Sequence, residues 1–472
     1  MIHRKTPHAL KAGALGFLDA AVMAVAGSAP GYSITATTAA LIAAAGTAGP
    51  AALCLGFLPM LGIALAFSHL NKWRPDAGAA YVWVGRSINP ELGFLAGWAL
   101  LSLSTTFMVA AALPAGEATL ELIAPGRVHD VAFATGAGVV WFLAVLALVT
   151  CGITASARAQ VAMTSLEILA LLLIGVFAVW NARAAPVTPF SWSWFSPSAF
   201  GAFPVFAASM LVSIFYFFGW DVASNLAEET ADADRTAGFS GVAGVLVIFA
   251  LFLLAQVAVQ MSLTPDVIEA NAADLLPALG RAAFGEKGRA IAVLAVMVSA
   301  VATIETQLLQ TTRLLFSMAR DNVIAEPLGR LHSRFQTPWV AGFAVGGVSL
   351  LLFAAAAAAP TVNQLMGDLI SAIGVQVAFY YALAGAACFW FYRPVLRDNW
   401  TTLVFAGLVP LASAIFVAFI GLYQLPALGW RVSAMAVGAI LIGAAPMWYY
   451  RKLYRSTFYS APLERAGASP DR

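Results

Sequence analysis

The chain of 472 residues is 61% hydrophobic and only 10% charged, with a mean hydropathy of +0.85. Soluble domains carry about 25% charged residues, so this composition excludes a water-soluble globular protein. The net charge of +2 gives no reason to expect a nucleic acid partner. The three cysteines lie in apolar segments without metal-like spacing, so neither a disulfide framework nor a metal site is predicted.

Apolar runs of about 20 residues recur along nearly the whole chain and predict about twelve membrane-spanning helices. The predicted spans are residues 14–45, 48–69, 89–115, 130–152, 157–181, 204–227, 236–262, 288–318, 338–359, 364–392, 402–423 and 429–450. We divide the chain into an N-terminal segment (1–13), a ten-helix core (14–392), two additional helices (393–455) and a C-terminal tail (456–472). The tail is rich in Pro, Gly, Ser and charge after Tyr459, which predicts disorder there.

Positive charges are distributed unevenly between the two sides of the predicted spans. With the N-terminus placed inside, the inner segments hold 18 lysines and arginines and the outer segments hold six. This bias predicts a multi-pass protein of the inner (cytoplasmic) membrane with both termini in the cytoplasm. The first apolar run lacks a small-residue cleavage site and leads directly into further spans, so we expect a retained helix rather than a signal peptide.

Two predicted spans are interrupted. The first contains Gly27, Pro30 and Gly31 within five positions, where a missing N–H and two flexible residues should break the helix. The sixth contains Gly219 and Asp221 in mid-segment. If spans one to five and six to ten are two halves, both breaks occupy the first position of a half, which is typical of inverted repeats with a site at their interface. The alternative for the first break is a proline kink without a ligand, since Pro and Gly are common in membrane helices.

Four acidic residues fall within predicted spans, namely Glu167, Asp221, Glu305 and Asp368. A charge at the bilayer centre costs roughly 3 kcal/mol, which makes each a candidate functional group. No lysine lies deep in any span, so the interior suits a cationic substrate, a sodium ion or a titrating proton carrier. The alternative is a hydrogen-bonded acid that fixes helix packing or, for Glu305, an ion pair with Arg313. Asp368 lies near the end of its span.

Aromatic residues crowd the second break, where Phe217 and Trp220 flank Gly219. They could bind an ammonium group through cation–π contact, although ordinary packing is the alternative. Outside the spans, residues 71–86 predict a helix at the membrane surface. The loop at 182–203 is expected to form an ordered cap, and the acidic segment at 264–288 a lid.

Four stretches together resemble the amino acid-polyamine-organocation superfamily of secondary transporters. They are the first break (Gly27, Ser28, Pro30, Gly31), Arg74–Tyr81, Phe217–Asp221 with Ala227–Thr230, and Arg313–Asp321 with Thr337–Pro338. The resemblance covers nearly the whole chain. It implies an all-α, LeuT-type five-plus-five inverted repeat with broken first and sixth helices, two extra helices, and alternating access.

By matching positions, the resemblance assigns residues of the first break to a substrate carboxylate and residues of the second break to its amino group. The first set is Gly27, Ser28, Ala29 and Gly31, and the second is Phe217, Phe218 and Trp220. Two departures stand out. The family's usual Gly-Ser-Gly run reads Gly-Ser-Ala-Pro-Gly here, and Glu167 stands where many sodium-independent relatives carry a lysine. Both departures favour amines that lack a carboxylate.

The sequence therefore predicts a secondary active permease for an amino acid or related amine, driven by a proton gradient or by exchange. Glu167 is the first candidate for the coupling group, with Asp221 or Glu305 as a substrate or gating contact and Glu305 as a second proton site. The alternatives are a sodium-coupled carrier with Glu167, Thr303 or Thr306 near the ion, a carrier specific for amines or polyamines and, more remotely, a channel.

An enzyme is not expected, because no His-Glu-x-x-His or Gly-x-Ser-x-Gly motif is present. No cofactor and no obligatory protein partner are expected. The predicted partners are the small-molecule substrate and the lipid bilayer, and the energy is expected to come from an ion gradient, with H⁺ as the predicted ion.

Overall fold

The computed structural model describes residues 9–128, 130–272, 274–358 and 362–467. Helices dominate these residues, and the extended structure among them is a single bridge between Leu15 and Thr230. The α-helices are α1 Phe17–Gly27, α2 Pro30–Ala45, α3 Gly49–Trp73, α4 Ala80–Ser87, α5 Pro90–Ile123, α6 Val131–Thr150, α7 Ile153–Ala182, α8 Phe203–Tyr216, α9 Val222–Asn225, α10 Ala233–Ser262, α11 Pro265–Ala270, α12 Leu275–Arg320, α13 Trp339–Ala356, α14 Val362–Tyr392, α15 Trp400–Thr402, α16 Val409–Gln424, α17 Gly429–Ile442 and α18 Ala444–Trp448.

Nine helical segments of the described residues are long and apolar enough to cross a membrane. Two of them, Phe17–Trp73 with 57 residues and Trp400–Leu453 with 54, are long enough to contain more than one crossing. The all-α polytopic architecture predicted from hydropathy is therefore confirmed. The count of twelve helices and the inverted repeat stay predictions.

The first predicted span is two helices, as its glycines and proline indicated. Helix α1 ends at Gly27 and α2 begins at Pro30, whose fixed backbone angle and missing N–H suit the first helical position. Between them Ala29 adopts the left-handed conformation, with φ +51°. That conformation costs a residue with a side chain roughly 1 kcal/mol, so the surrounding structure must hold it in place.

The sixth predicted span is also interrupted. Helix α8 ends at Tyr216 and the short helix α9 begins at Val222. Gly219, between them, has φ +107°, a conformation that side chains rarely allow. The break predicted from Gly219 and Asp221 is therefore present.

Around these breaks, α10 packs against α1 and α3, and α12 packs against α5 and α7. Helix α12 is the central element, because nearly every side chain from Ser299 to Ala319 is buried. Its backbone leaves helical geometry at Phe284 and Gly285, so its first turns form a separate piece. That piece and α11 lie in the segment predicted as a lid, and α11 borders a cavity of about 470 Å³ with the ends of α2 and α10.

The tail after Tyr459 is ordered as far as the described residues extend, so the prediction of disorder is wrong for this part. Phe458 is buried, and its ring stacks on Tyr81 of α4 with 4.9 Å between centroids. The Glu464 N–H donates to the Arg86 carbonyl at 2.7 Å. The buried ring of Phe458 anchors the chain just before this segment, and backbone pairing holds the segment itself despite its polar composition. The predicted tail residues 468–472 lie outside the described part of the chain.

The sequence predicts α4 at the membrane surface, but in the structure its apolar side chains are buried among other parts of the protein. Tyr81, Val82, Trp83 and Val84 are at most 2% exposed. Helix α5 and the tail pack against this short helix, so its apolar side chains are buried in protein rather than in lipid.

Candidate functional site

The two helix breaks touch each other through their backbones. A Cβ atom added to Gly27 would overlap the carbonyl oxygen of Gly219, and one added to Gly219 would overlap the carbonyl oxygen of Gly27. Only glycine permits this approach at both positions. The sequence predicts that both breaks lie at one interface, and in the structure the two breaks are in contact.

The backbone N–H groups at the start of α2 are occupied by other groups of the chain. The Gly31 N–H donates to Glu167 Oε1 at 2.7 Å, and the Tyr32 N–H donates to Ser299 Oγ at 3.1 Å. Pro30 has no N–H. Because a helix N-terminus carries partial positive charge, the carboxylate of Glu167 stabilises this end of α2.

The backbone on the other side of the break is closed by the chain itself. The Ser28 N–H donates to the Val25 carbonyl at 3.1 Å, and the Ala29 N–H donates to the Ala26 carbonyl at 2.9 Å. The Ser33 hydroxyl donates to the Ser28 carbonyl at 2.8 Å. Every N–H from residue 28 to residue 33 that can donate therefore has a partner within the protein or within α2.

Glu167 is 1% exposed and comes from α7, a helix far from α2 in the sequence. One of its oxygens holds Gly31, while Oε2 has no hydrogen-bond partner among the described residues. The sequence singled out Glu167 as a coupling group, and the structure places it directly at the first break. Its role there stays a prediction.

Glu305, on α12, lies next to a polar stripe of α7. With the Gln160 amide oriented to donate, its nitrogen lies 2.9 Å from Glu305 Oε2. The stripe continues through Thr164 to Glu167, at spacings that keep side chains on one helix face. The alternative of an ion pair between Glu305 and Arg313 is wrong.

Arg313 instead pairs with Glu229, in the turn after α9. Both side chains are 0% exposed, and the guanidinium donates from Nε at 2.8 Å and from Nη2 at 3.0 Å. The carbonyl of Glu229 accepts the Leu15 N–H at 3.0 Å, ahead of α1. We call Leu15, Glu229 and Arg313 the latch, because they join the start of α1 to α12.

Asp221 is fully buried, and its carboxylate is held by three side chains. The Tyr381 hydroxyl donates to Oδ1 at 2.8 Å, and Tyr380 and Gln310 donate to Oδ2 at 3.2 and 2.9 Å. Gln310 also donates to Asn225 Oδ1 at 3.0 Å. In this conformation Asp221 ties the second break to α12 and α14, so a substrate contact through its carboxylate would have to displace one of these donors.

The aromatic residues of the second break point in different directions. Phe218 contacts Phe107 of α5, whose ring also lies 5.7 Å from that of Tyr32. Trp220 stacks on Tyr381 at 5.5 Å. The ring of Phe217 instead packs against aromatic rings of α3 and α10. Of the predicted aromatic contacts, Phe218 is therefore the one whose ring lies in the aromatic group beside the first break.

Among the residues that line the breaks, sequence reasoning missed Gln307 and Phe107, and it singled out Thr303 only for the sodium-coupled alternative. Thr303 and Gln307 of α12 donate to the carbonyls of Ala26 and Gly27, at 3.1 and 3.4 Å. Polar residues at positions 303, 306, 307 and 310 lie three or four apart, which is a visible polar face on an otherwise apolar helix. Phe107 carried no such signal. Asp368 is half-buried near the start of α14 and is not among the contacts of either break.

The chain matches the family model described as "Amino acid permease" over residues 15–445. An uncharacterized transporter of Mycobacterium tuberculosis is 27% identical over 441 residues, covering 92% of this chain and 90% of the relative. The low-affinity putrescine importer PlaP of Escherichia coli K12 is 25% identical over 379 residues, covering 78% of this chain and 79% of that protein. The branched-chain amino acid permease BcaP of Bacillus subtilis is 28% identical over 326 residues, covering 65% and 68%.

These matches agree with the helical architecture, the apolar spans and the two facing helix breaks. They also confirm the resemblance that the motifs carried. The chain is a multi-pass membrane protein that belongs to the amino acid permease family, within the amino acid-polyamine-organocation superfamily.

Proposed function

We propose that this protein is a secondary active permease that moves an amino acid or a related amine across the cytoplasmic membrane by alternating access, with both termini in the cytoplasm. The observation that carries the proposal is the contact between the two breaks at Gly27 and Gly219. Broken helices that face each other in a transporter supply backbone groups to a substrate near the bilayer midplane. The putrescine importer and the branched-chain permease among its relatives support both substrate classes.

Closure on the proposed cytoplasmic face comes from the latch and from a second group of charges. Arg320 of α12 donates to Asp76 Oδ2 at 2.9 Å and contacts Glu228 at 2.9 Å. The Ser317 hydroxyl donates to Asp76 Oδ1 at 2.8 Å. Opening toward the cytoplasm would separate α1 from α12, and the latch would have to break for that movement.

We further propose that a proton on Glu167 couples ion movement to transport. An ionised carboxylate is favoured at a helix N-terminus, and protonation removes that attraction. The proton would therefore weaken the hold of Glu167 on Gly31 and loosen the start of α2. Glu305 contacts Gln160, which lies on the same face of α7 as Thr164 and Glu167, and it is the proposed second proton site.

The test uses the purified protein in liposomes, with radiolabelled substrate candidates added outside and, for counterflow, unlabelled substrate inside. Saturable uptake that shows counterflow, and that is driven by an imposed pH gradient without sodium, supports the proposal. Glu167→Gln should keep exchange at saturating substrate and lose accumulation driven by the pH gradient. Glu286→Gln, which neutralises an exposed acid, is the control and should behave as wild type. Unsaturable flux would indicate a channel, and accumulation driven by sodium alone would overturn the proton assignment.

A further inference from the structure

The start of α2 offers no free N–H to a ligand, since Glu167 and Ser299 accept those of Gly31 and Tyr32. A carboxylate ligand at this break would need such donors, because backbone N–H groups at a helix N-terminus are its natural partners. The Glu167 carboxylate already stands in that position. A second carboxylate beside it would also meet like-charge repulsion in a poorly solvated environment.

No cation in the described residues compensates for the occupied N–H groups or for the like-charge repulsion. Arg313, on α12, is 0% exposed, and its Nε and Nη2 both donate to the carboxylate of Glu229. Breaking that pair to bind a ligand would leave Glu229 buried and unpaired. The described part of the chain therefore shows neither a free N–H at the first break nor a free buried cation near it.

Acceptors, in contrast, are left over around the two breaks. Glu167 Oε2 and Gln307 Oε1 are buried without partners among the described residues, and both can only accept hydrogen bonds. The hydroxyls of Ser28 and Tyr32 are also buried and unpaired. The Trp220 indole N–H is a buried donor without a partner, but it lies at the second break, where its ring stacks on Tyr381. Unpaired buried acceptors are costly, so a ligand that brings N–H donors would satisfy them.

We infer that the substrate is an organic amine without a carboxylate, with Glu167 as the internal carboxylate that takes the place of the substrate's own and pairs with its ammonium group. This inference rests on the proposed function, because it assumes that the facing breaks bind the transported molecule. The rings of Phe107, Phe218 and Tyr32 beside the break provide an apolar and aromatic wall for the alkyl part of the amine.

The first experiment compares matched pairs in which the amine differs from its parent amino acid only by the carboxylate. The pairs are putrescine and ornithine, cadaverine and lysine, isoamylamine and leucine, and phenethylamine and phenylalanine. Binding to the purified protein is measured by calorimetry and thermal shift, since a ligand that binds the folded state raises its apparent stability. For at least one pair the amine should bind about tenfold or more tightly than its parent, as expected when a charge-assisted hydrogen bond is gained.

Equal or tighter binding of the parent amino acid in every pair that binds would overturn the inference and leave the proposed function standing. If neither member of any pair binds, and none is transported in the liposome assay, the proposed function fails and the inference fails with it.

Two substitutions separate the charge of Glu167 from its hydrogen bond. Glu167→Gln keeps an acceptor for the Gly31 N–H but removes the charge, so amine affinity should fall about tenfold without a gain for amino acids. Glu167→Ala also frees the Gly31 N–H, so the preference for the amine over its parent should shrink further or reverse. Glu286→Gln is the charge control and should leave the ratio unchanged. If folded Glu167→Gln and Glu167→Ala proteins kept the wild-type ratio of amine affinity to amino acid affinity, the pairing of Glu167 with the ammonium group would be refuted.

Discussion

Removing one member of the buried Arg313–Glu229 pair should destabilise the protein strongly. Arg313→Met leaves a carboxylate at 0% exposure without its two charged donors, at 2.8 and 3.0 Å in the intact protein. An uncompensated buried charge costs about 3–5 kcal/mol, and Glu229→Leu should cost a similar amount by stranding the guanidinium. The double variant replaces both charges with apolar groups, so most of that cost should disappear and the two effects should not add.

The assay is reversible unfolding in mixed micelles with increasing SDS, applied to the wild type, both single variants and the double variant. The control is the exposed pair Arg281–Glu286, whose side chains are 57% and 73% exposed at an N–O distance of 2.8 Å. There the coupling free energy should be only about 0–1 kcal/mol, because water screens the charges. Additive effects at Arg313 and Glu229, or single-variant costs no larger than those of the exposed pair, would refute the reasoning.

Three further outcomes are expected. Gly219→Ala should abolish transport, because its φ of +107° and the carbonyl of Gly27 leave no room for a Cβ. The control Gly201→Ala, at φ +68° with open space around it, should cost only stability. Equal uptake by both variants would contradict the close approach of the two breaks. Phe458→Ala should make the tail more sensitive to limited proteolysis, since it removes the ring that stacks on Tyr81; unchanged cleavage would contradict the docked tail. Tyr381→Phe removes one donor to Asp221 and should lower stability by about 1–3 kcal/mol in the SDS assay, and a neutral effect would argue against that contact.

Hydropathy located the helices well because apolar runs must match the thickness of the bilayer. The breaks were predictable for a local reason, since Pro30 and Gly219 disturb helical geometry whatever surrounds them. Disorder after Tyr459 was a compositional inference, and it failed because the segment pairs with distant backbone: the N–H groups of Glu464 and Ala466 donate to the carbonyls of Arg86 and Phe391. Composition cannot show a contact between segments so far apart in the chain.

The same limit applies to the acids. An ionisable residue within a span can be recognised from the sequence, but its partner depends on how helices pack. Arg313 lies two turns after Glu305 on one helix, which made an ion pair between them a reasonable alternative; the guanidinium instead reaches Glu229 on another segment. Asp221 looked like a free substrate contact, and its donors Tyr380 and Tyr381 lie 159 and 160 residues away.

The contact of Glu167 with the start of α2 and the ion pair of Glu229 with Arg313 differ in strength, and this difference suits a carrier. A carboxylate at a partly buried helix N-terminus contributes up to about 2 kcal/mol, so protonation of Glu167 could shift the position of α2 by about 30-fold in population. Removing one latch partner by mutation costs about 3–5 kcal/mol because it strands a buried charge, so the latch should open only where water or new partners reach both Arg313 and Glu229. A protonated Glu167 has no charge to pair with an ammonium group, so we expect the proton and the amine to bind Glu167 in turn, which suits exchange of one for the other.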